Sequence, residues 1–216
     1  MTPERFQKIK DILNKRQPDL TVIMDNVHKP HNLAAIIRSC DAVGISDIHG
    51  ISSNEQKVSV NLKSASGSNH WVNLHIHHSV LKVISDLKQS GFSIYAANGS
   101  EKAVDYRKVD YTKPTAIVLG AELDGISKET LDCVDGEIKV SMQGMVESLN
   151  VSVANAVILF EAQRQRILDG LYEKCRIQKD EYEKLLFEFS YPEVAKVYQS
   201  KGEDYPELDT EGQIIF

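Results

Sequence analysis

Leu20-Thr21-Val22-Ile23-Met24-Asp25-Asn26-Val27-His28-Lys29-Pro30-His31-Asn32-Leu33-Ala34-Ala35-Ile36-Ile37-Arg38-Ser39-Cys40-Asp41-Ala42-Val43-Gly44 is the segment from which the architecture is best read. Leu20 to Met24 is a short apolar run of strand length, and Asp25 to His31 is a polar loop. From Asn32 the apolar positions recur at helical spacing as far as Val43, and Gly44 closes the helix. Asn32 stands where a helix N-cap belongs. The segment is thus a strand-loop-helix unit.

The same alternation continues along the chain. A strand near Ile48 and another from Trp71 to His77 precede a helix from Ser79 to Gln89, ended by Gly91. Strands from Phe92 to Ala97 and from Ala116 to Leu119, a short helix after Ser127 and a strand from Glu137 to Val140 follow. A long helix then runs from about Leu149 to Leu168. Strand-then-helix order predicts an α/β fold, a mostly parallel sheet covered by helices. The flanks differ. Thr2-Pro3-Glu4 starts a helix bearing Phe6, Ile9, Ile12 and Leu13. Beyond Gly170, Lys and Glu become dense around an apolar stripe of Tyr182, Leu185, Leu186 and Phe189, and Pro192 opens a last helix that closes near Gly202. Asp204 to Phe216 reads as a loose or partner-bound tail. The expected division is an N-terminal helical extension over 1–17, an α/β domain over 18–170, and a C-terminal helical extension with tail over 171–216.

With 216 residues, 42% hydrophobic and 26% charged, the chain has an ordinary composition for a soluble globular protein, and no apolar run reaches the length of a membrane span. Its first residues lack the pattern of a secretory signal, which predicts a cytoplasmic location. Cys40, Cys133 and Cys175 have no C-x-x-C spacing, so neither a disulfide framework nor a thiolate zinc site is expected. His75, His77 and His78 lack the carboxylate or cysteine company of a metal site and are assigned to surface or core packing, so no metal is expected. A net charge of -6 requires any nucleic acid to be held by a local basic face. Basic residues do gather at the ends: Lys8, Lys10, Lys15 and Arg16, then Arg164, Arg166, Lys174 and Arg176.

Three loops follow strands: Ala97-Asn98-Gly99-Ser100, Gly120-Ala121-Glu122-Leu123-Asp124-Gly125, and Ser141-Met142-Gln143-Gly144-Met145. In an open parallel sheet such loops converge on one ligand site. Gly120 and Gly125 permit close backbone approach or positive φ, with Glu122 between them to hold polar groups. The third loop leads into Ser148-Leu149-Asn150-Val151-Ser152-Val153-Ala154, where Ser148 or Asn150 is placed to cap the long helix and leave its first amides facing a ligand. No phosphate-binding P-loop, dinucleotide turn or nucleophile elbow is present.

Asn32 with Arg38, the Gly120-Glu122-Gly125 loop, and Ser148 to Ala154 resemble, in order, the three motifs of the SpoU family of RNA ribose methyltransferases. Arg16 to Val22, His28 to Asn32, Ala103 to Arg107 and Glu161 to Arg166 are similar to segments of that family's TrmH-type branch, which methylates guanosine 18 in the D-loop of tRNA. The resemblance implies a SPOUT-type trefoil knot in the C-terminal part of the domain and a homodimer that completes the active site. It implies S-adenosylmethionine bound at Ala97, Gly120, Val140 and Leu149, and RNA contacts at Arg16, Lys88, Arg164 and Arg166. Arg38 would position or accept the ribose proton, with Asn32, Glu122, Ser148 and Asn150 organising the site. Ribosomal RNA as the substrate, and a non-catalytic RNA-binding protein of the same fold, are the competing readings.

Overall fold

Six consecutive buried residues form strand β1 (Leu20–Asp25), and five form β6 (Thr115–Leu119), which pairs with it in parallel from Leu20 opposite Thr115 to Met24 opposite Leu119. A strand buried on both faces needs helices on both, which is why its residues do not alternate between apolar and polar. The computed structural model describes residues 1–52, 71–122 and 124–215. Around the central pair lie β2 (Asp47–Ile51), β3 (Asn73–His77), β4 (Ser93–Ala97), β5 (Val104–Asp105) and β7 (Gly136–Lys139). The sheet order is β3-β2-β1-β6-β4-β7-β5, with every pairing parallel. β6 is therefore inserted between β1 and β4, and β7 between β4 and β5, although β4 and β5 precede them in the chain.

The chain divides into two compact units, Pro18–Asp169 and the joined segments Met1–Gln17 and Gly170–Phe216. In the first unit, α2 (Pro30–Ala42) and α5 (Val151–Leu168) cover one face of the sheet through Leu33, Ile36, Ile37, Cys40, Ile158, Leu159 and Ala162. The opposite face is covered by α3 (Val80–Gln89) and the short α4 (Lys128–Leu131), with Val83 and Ile84 against Ile94, Ala96 and Val118. Ser79 caps α3, and Ser127 caps α4, each accepting a first-turn amide.

One sequence expectation shifts here, and another narrows to one of its two alternatives. The helix after β1 begins at Pro30, not Asn32; Lys29 holds the cap position, and Asn32 lies buried in the first turn. α5 begins at Val151, capped by Asn150, whose side chain accepts from the Ser152 amide, while Ser148 stays exposed. β5, two residues long, and the 3₁₀ turn Tyr106–Lys108, three residues long, are too short to show a periodicity in the sequence.

In the second unit, α1 (Pro3–Leu13) packs Ile9 and Leu13 against Leu185 of α6 (Lys179–Ser190). α7 (Pro192–Lys201) ends at Gly202 in the left-handed conformation. The tail is ordered rather than loose. Asp209 Oδ1 accepts the amides of Glu211 at 2.9 Å and Gln213 at 2.8 Å, and the Tyr191 hydroxyl donates to the Gly212 carbonyl at 2.8 Å. Gly212 has φ 82° and lies so close to the Phe6 ring that an added Cβ would come within 2.5 Å of it. Polar turn residues look solvated in a sequence; here they tie a turn that closes on an aromatic ring.

On the β2–β3 edge, His49 Nδ1 lies 3.1 Å from His77 Nε2, and His75 Nε2 lies 2.7 Å from Asp47 Oδ1. Burial, then the neighbouring His77 and His75, push His49 down from 6.5 to about 4, against the pull of Asp47. Above pH 6.5 the imidazole is neutral in both folded and unfolded chains. Between 6.5 and 4 only the unfolded chain takes up the proton, so stability falls as pH falls through that window. His49→Phe is expected to flatten the decline of the thermal midpoint between pH 7 and 5, measured by circular dichroism; an unchanged slope would exclude His49 as its source.

Candidate active site

Because all seven strands run the same way, the loops after β1, β6, β4 and β7 leave from one edge of the sheet, at its adjacent central strands. From β1 the chain passes through α2 to β2 on one side of the pair, and from β6 through α4 to β7 on the other, so the strand order reverses between them, the place where open α/β sheets form the crevice that holds ligands. Asp25, at the end of β1, fixes one wall: its buried Oδ2 accepts from Thr130 Oγ1 of α4 at 3.1 Å.

Asn32 spans the crevice. Its Nδ2 donates to Glu122 Oε1 in the loop after β6, and its Oδ1 accepts from Asn150 Nδ2 at the start of α5, at 3.1 Å. Asn150 in turn accepts the Ser152 amide at 2.9 Å and hydroxyl at 2.6 Å. Glu122, Asn32, Asn150 and Ser152 thus form one chain of hydrogen bonds through segments separated by 90 and 118 residues. The helix start is what allows this. Since Lys29 and Pro30 begin α2, Asn32 has no capping duty and its amide is available to both neighbours.

Glu122 is half-buried. Desolvation works against its charge, but its own backbone amide and the Asn32 amide, helped by Lys29 and His28, outweigh it and hold the carboxyl below its usual range. Its second oxygen, Oε2, is buried with no hydrogen-bond partner among the described residues. The glycines on either side have separate reasons. A Cβ on Gly120 would sit 2.4 Å from the Gly125 carbonyl carbon, and Gly125 has φ 65°. The loop closes on itself through paired Ala121 and Gly125 backbone bonds, each 3.0 Å.

Ala97, Gly120 and Val140 fall at the ends of the neighbouring strands β4, β6 and β7; Ala97 and Val140 pack half-buried against the core. Leu149 is half-buried immediately before the Asn150 cap. Arg38 and Ser148 are exposed and make no hydrogen bond to the Asn32 chain among the described residues.

The four expected RNA contacts separate. Arg166 is fully buried: its Nε donates to the Tyr111 carbonyl at 2.8 Å, Nη1 to Asp19 Oδ1 at 2.6 Å, and Nη2 to the Asp19 and Lys113 carbonyls, both at 3.1 Å. It ties the end of α5 to the segments that enter β1 and β6. Arg16 is also buried, its guanidinium 5.9 Å from the Phe189 ring centre in the helical unit. Neither presents its charge to a surface, so both are corrected from RNA contacts to structural residues. Lys88 and Arg164 are exposed, paired with Asp135 at 2.6 Å and Glu161 at 2.8 Å, but on opposite faces of the sheet. They do not form one patch. Sequence reasoning passed over Thr130, which fixes Asp25, and Glu137, which binds the loop after β4, because a lone hydroxyl or carboxylate has no spacing to mark it.

Among the described residues no group of three His, Cys, Asp or Glu side chains is arranged to hold a metal, and no helix is long and apolar enough to cross a membrane. A family model described as the SpoU rRNA Methylase family matches residues 19–160, and a companion C-terminal model matches residues 164–216. A tRNA (guanosine(18)-2'-O)-methyltransferase of Escherichia coli is 45% identical over 99% of this chain and 94% of its own length. The crystal structure of a TrmH/SpoU tRNA modifying enzyme from Aquifex aeolicus superposes with TM-score 0.82 at 40% identity, covering 88% of this chain and 97% of the other. The SpoU methyltransferase AviRb of Streptomyces viridochromogenes, in complex with the cofactor AdoMet, gives TM-score 0.62 at 25% identity over 71% of this chain and 59% of that one.

Two outcomes follow from the geometry. Asn32→Leu leaves the half-buried Glu122 carboxylate and the Asn150 amide without their partner, and is expected to cost about 1–3 kcal/mol in urea unfolding. Arg166→Met leaves Asp19 and three carbonyls without their donor and is expected to cost about 3–5 kcal/mol, while RNA affinity per folded molecule, measured by filter binding, stays unchanged. A loss of RNA affinity at full folding would return Arg166 to the binding surface.

Proposed function

This chain belongs to the SpoU methylase family, and we propose that it methylates the ribose 2'-hydroxyl of guanosine 18 in tRNA, using S-adenosylmethionine. The observation that carries this reading is the Glu122-Asn32-Asn150 chain of hydrogen bonds, in which the three ordered motifs of the family meet at one crevice. The choice of tRNA and of position 18 rests on the 45% identity, over nearly the whole chain, with an enzyme named for that nucleotide.

The residues present suit the methyl donor. Half-buried Ala97 and Val140 give an apolar wall at the strand ends, Leu149 adds to it, and Gly120 belongs to a loop closed too tightly for any side chain there. Glu122 Oε2 is a buried acceptor with no hydrogen-bond partner among the described residues. When bound, S-adenosylmethionine supplies an electrophilic methyl on a sulfonium centre. The chain's own residues do the rest. Arg38 is a guanidinium, five donors and no acceptor, on the exposed side of α2. It grips the phosphate beside the target ribose and orients the hydroxyl in line with the methyl, which is worth most when the geometry is fixed in advance. Asn32, Glu122 and Asn150 hold the crevice to shape, and Ser148 offers an exposed hydroxyl two residues before Asn150.

A homodimer belongs to the same reading. Val153, Phe160 and Ile167, spaced by sevens along α5, are 47%, 50% and 55% exposed, a stripe suited to a second copy. The insertion of β7 between β4 and β5 supports the trefoil thread expected of the family. Exposed Arg164 and Lys88 remain for RNA, and a tRNA substrate supports a cytoplasmic location.

Incubation with radiolabelled S-adenosylmethionine and unmodified tRNA, followed by mapping of the label, is expected to place the methyl on the ribose of guanosine 18. Label in ribosomal RNA alone would favour the activity in the family model's description. Arg38→Lys keeps the charge and removes the planar fork, and is expected to lower turnover at saturating RNA by at least about tenfold. Retained turnover with weakened RNA binding would show that a point charge suffices.

A further inference from the structure

We propose that Glu137 is a positioning residue for the methyl-donor site, setting the loop that follows β4 and, through it, the affinity for S-adenosylmethionine; this rests on the reading of that site given above. Glu137 lies on β7 in register with Ala96 of β4. Its half-buried Oε2 accepts from Asn98 Nδ2 and from Ser100 Oγ, both at 2.6 Å. Such short bonds to a carboxylate are roughly twice as strong as those between neutral groups.

The neighbours of Glu137 act on the same three residues. The Asn98 amide donates to the Ile138 carbonyl at 3.0 Å, and Lys139 Nζ donates to the Ser100 carbonyl at 3.2 Å. Three consecutive β7 residues therefore hold Asn98-Gly99-Ser100 at four points. Gly99, between the two side chains that reach Glu137, has open space around it and adds no packing of its own. The position of the loop is dictated from outside it.

That position matters because both ends of the connection are walls of the crevice. Ala97 immediately precedes the loop, and Val140 immediately follows Lys139, each half-buried against the core. Glu137 thus joins the β4 wall to the β7 wall one residue pair below the edge at which the ligand lies. It is placed to fix the width of the site without touching the ligand. Its carboxylate is also distinct from the crevice-spanning chain of Glu122, Asn32 and Asn150, to which it makes no hydrogen bond among the described residues. A defect at Glu137 should accordingly reach the methyl donor and spare the RNA.

Glu137→Gln keeps size and removes the charge that holds two donors at once. Calorimetric binding of S-adenosylhomocysteine and initial rates with a tRNA transcript are the measurements. The variant is expected to raise the Kd for S-adenosylhomocysteine and the KM for S-adenosylmethionine about tenfold, with kcat within about twofold and KM for tRNA unchanged. Ser100→Ala removes one donor and is expected to give about a threefold rise, and the double variant to be no weaker than Glu137→Gln, because both act through one loop. Unchanged donor affinity in Glu137→Gln, a fall in kcat at unchanged affinity, or additive effects would each overturn the proposal. Should Glu137→Gln fail to fold, Asn98→Ala and Ser100→Ala decide: wild-type affinity in both overturns it. Wild-type protein that neither binds S-adenosylhomocysteine nor transfers methyl would instead overturn the functional reading, a result separate from any of these.

Discussion

Asn32 has a single amide, and both ends of it are committed: Nδ2 to Glu122 and Oδ1 to Asn150. A parallel sheet brings loops to one edge but does not lock them together, because each loop departs toward its own helix. The lock must come from side chains long enough to cross and able both to donate and to accept, and within the first turn of α2 an asparagine meets both conditions. Once Asn32 is held, Glu122 is charged and half-buried at a defined place, and Asn150 is fixed as the cap of α5. An aspartate could not donate to Glu122, and a leucine could do neither.

Arg166 performs the corresponding task at the opposite end of α5. Its guanidinium meets one carboxylate and three carbonyls in the segments that lead into β1 and β6. α5 is therefore anchored at its start by a neutral amide relay and near its end by a buried ion pair. Between them Ile158, Leu159 and Ala162 need only fit the core. The outward side is left free to carry Val153, Phe160 and Ile167.

Strand and helix order was legible because buried runs and helical periods extend over many residues: Leu20 to Asp25 and Thr115 to Leu119 are buried without a break. The glycines of the β6 loop were legible too, since close approach and positive φ each leave a glycine behind. What escaped was anything decided by one side chain's surroundings. Asn32 fits a capping pattern, yet Lys29 and Pro30 begin the helix. Arg166 lies in a run of basic and polar residues that reads as solvated, yet four acceptors converge around it. The tail from Asp204 has the composition of a loose end, and its turn is closed by Asp209 and the face of Phe6. Such outcomes depend on partners distant in sequence, about which local pattern says nothing.

The helical unit joins Met1–Gln17 to Gly170–Phe216, with all of Pro18–Asp169 between them in the chain. During synthesis, α1 leaves the ribosome with Ile9 and Leu13 uncovered, since Leu185, which buries them, has yet to be made. At about 5–20 residues per second, the wait lasts roughly ten to thirty seconds. Throughout it the nascent chain carries an unpaired amphipathic helix. An element made before the whole of Pro18–Asp169 thus finds its packing partner only after that unit is complete.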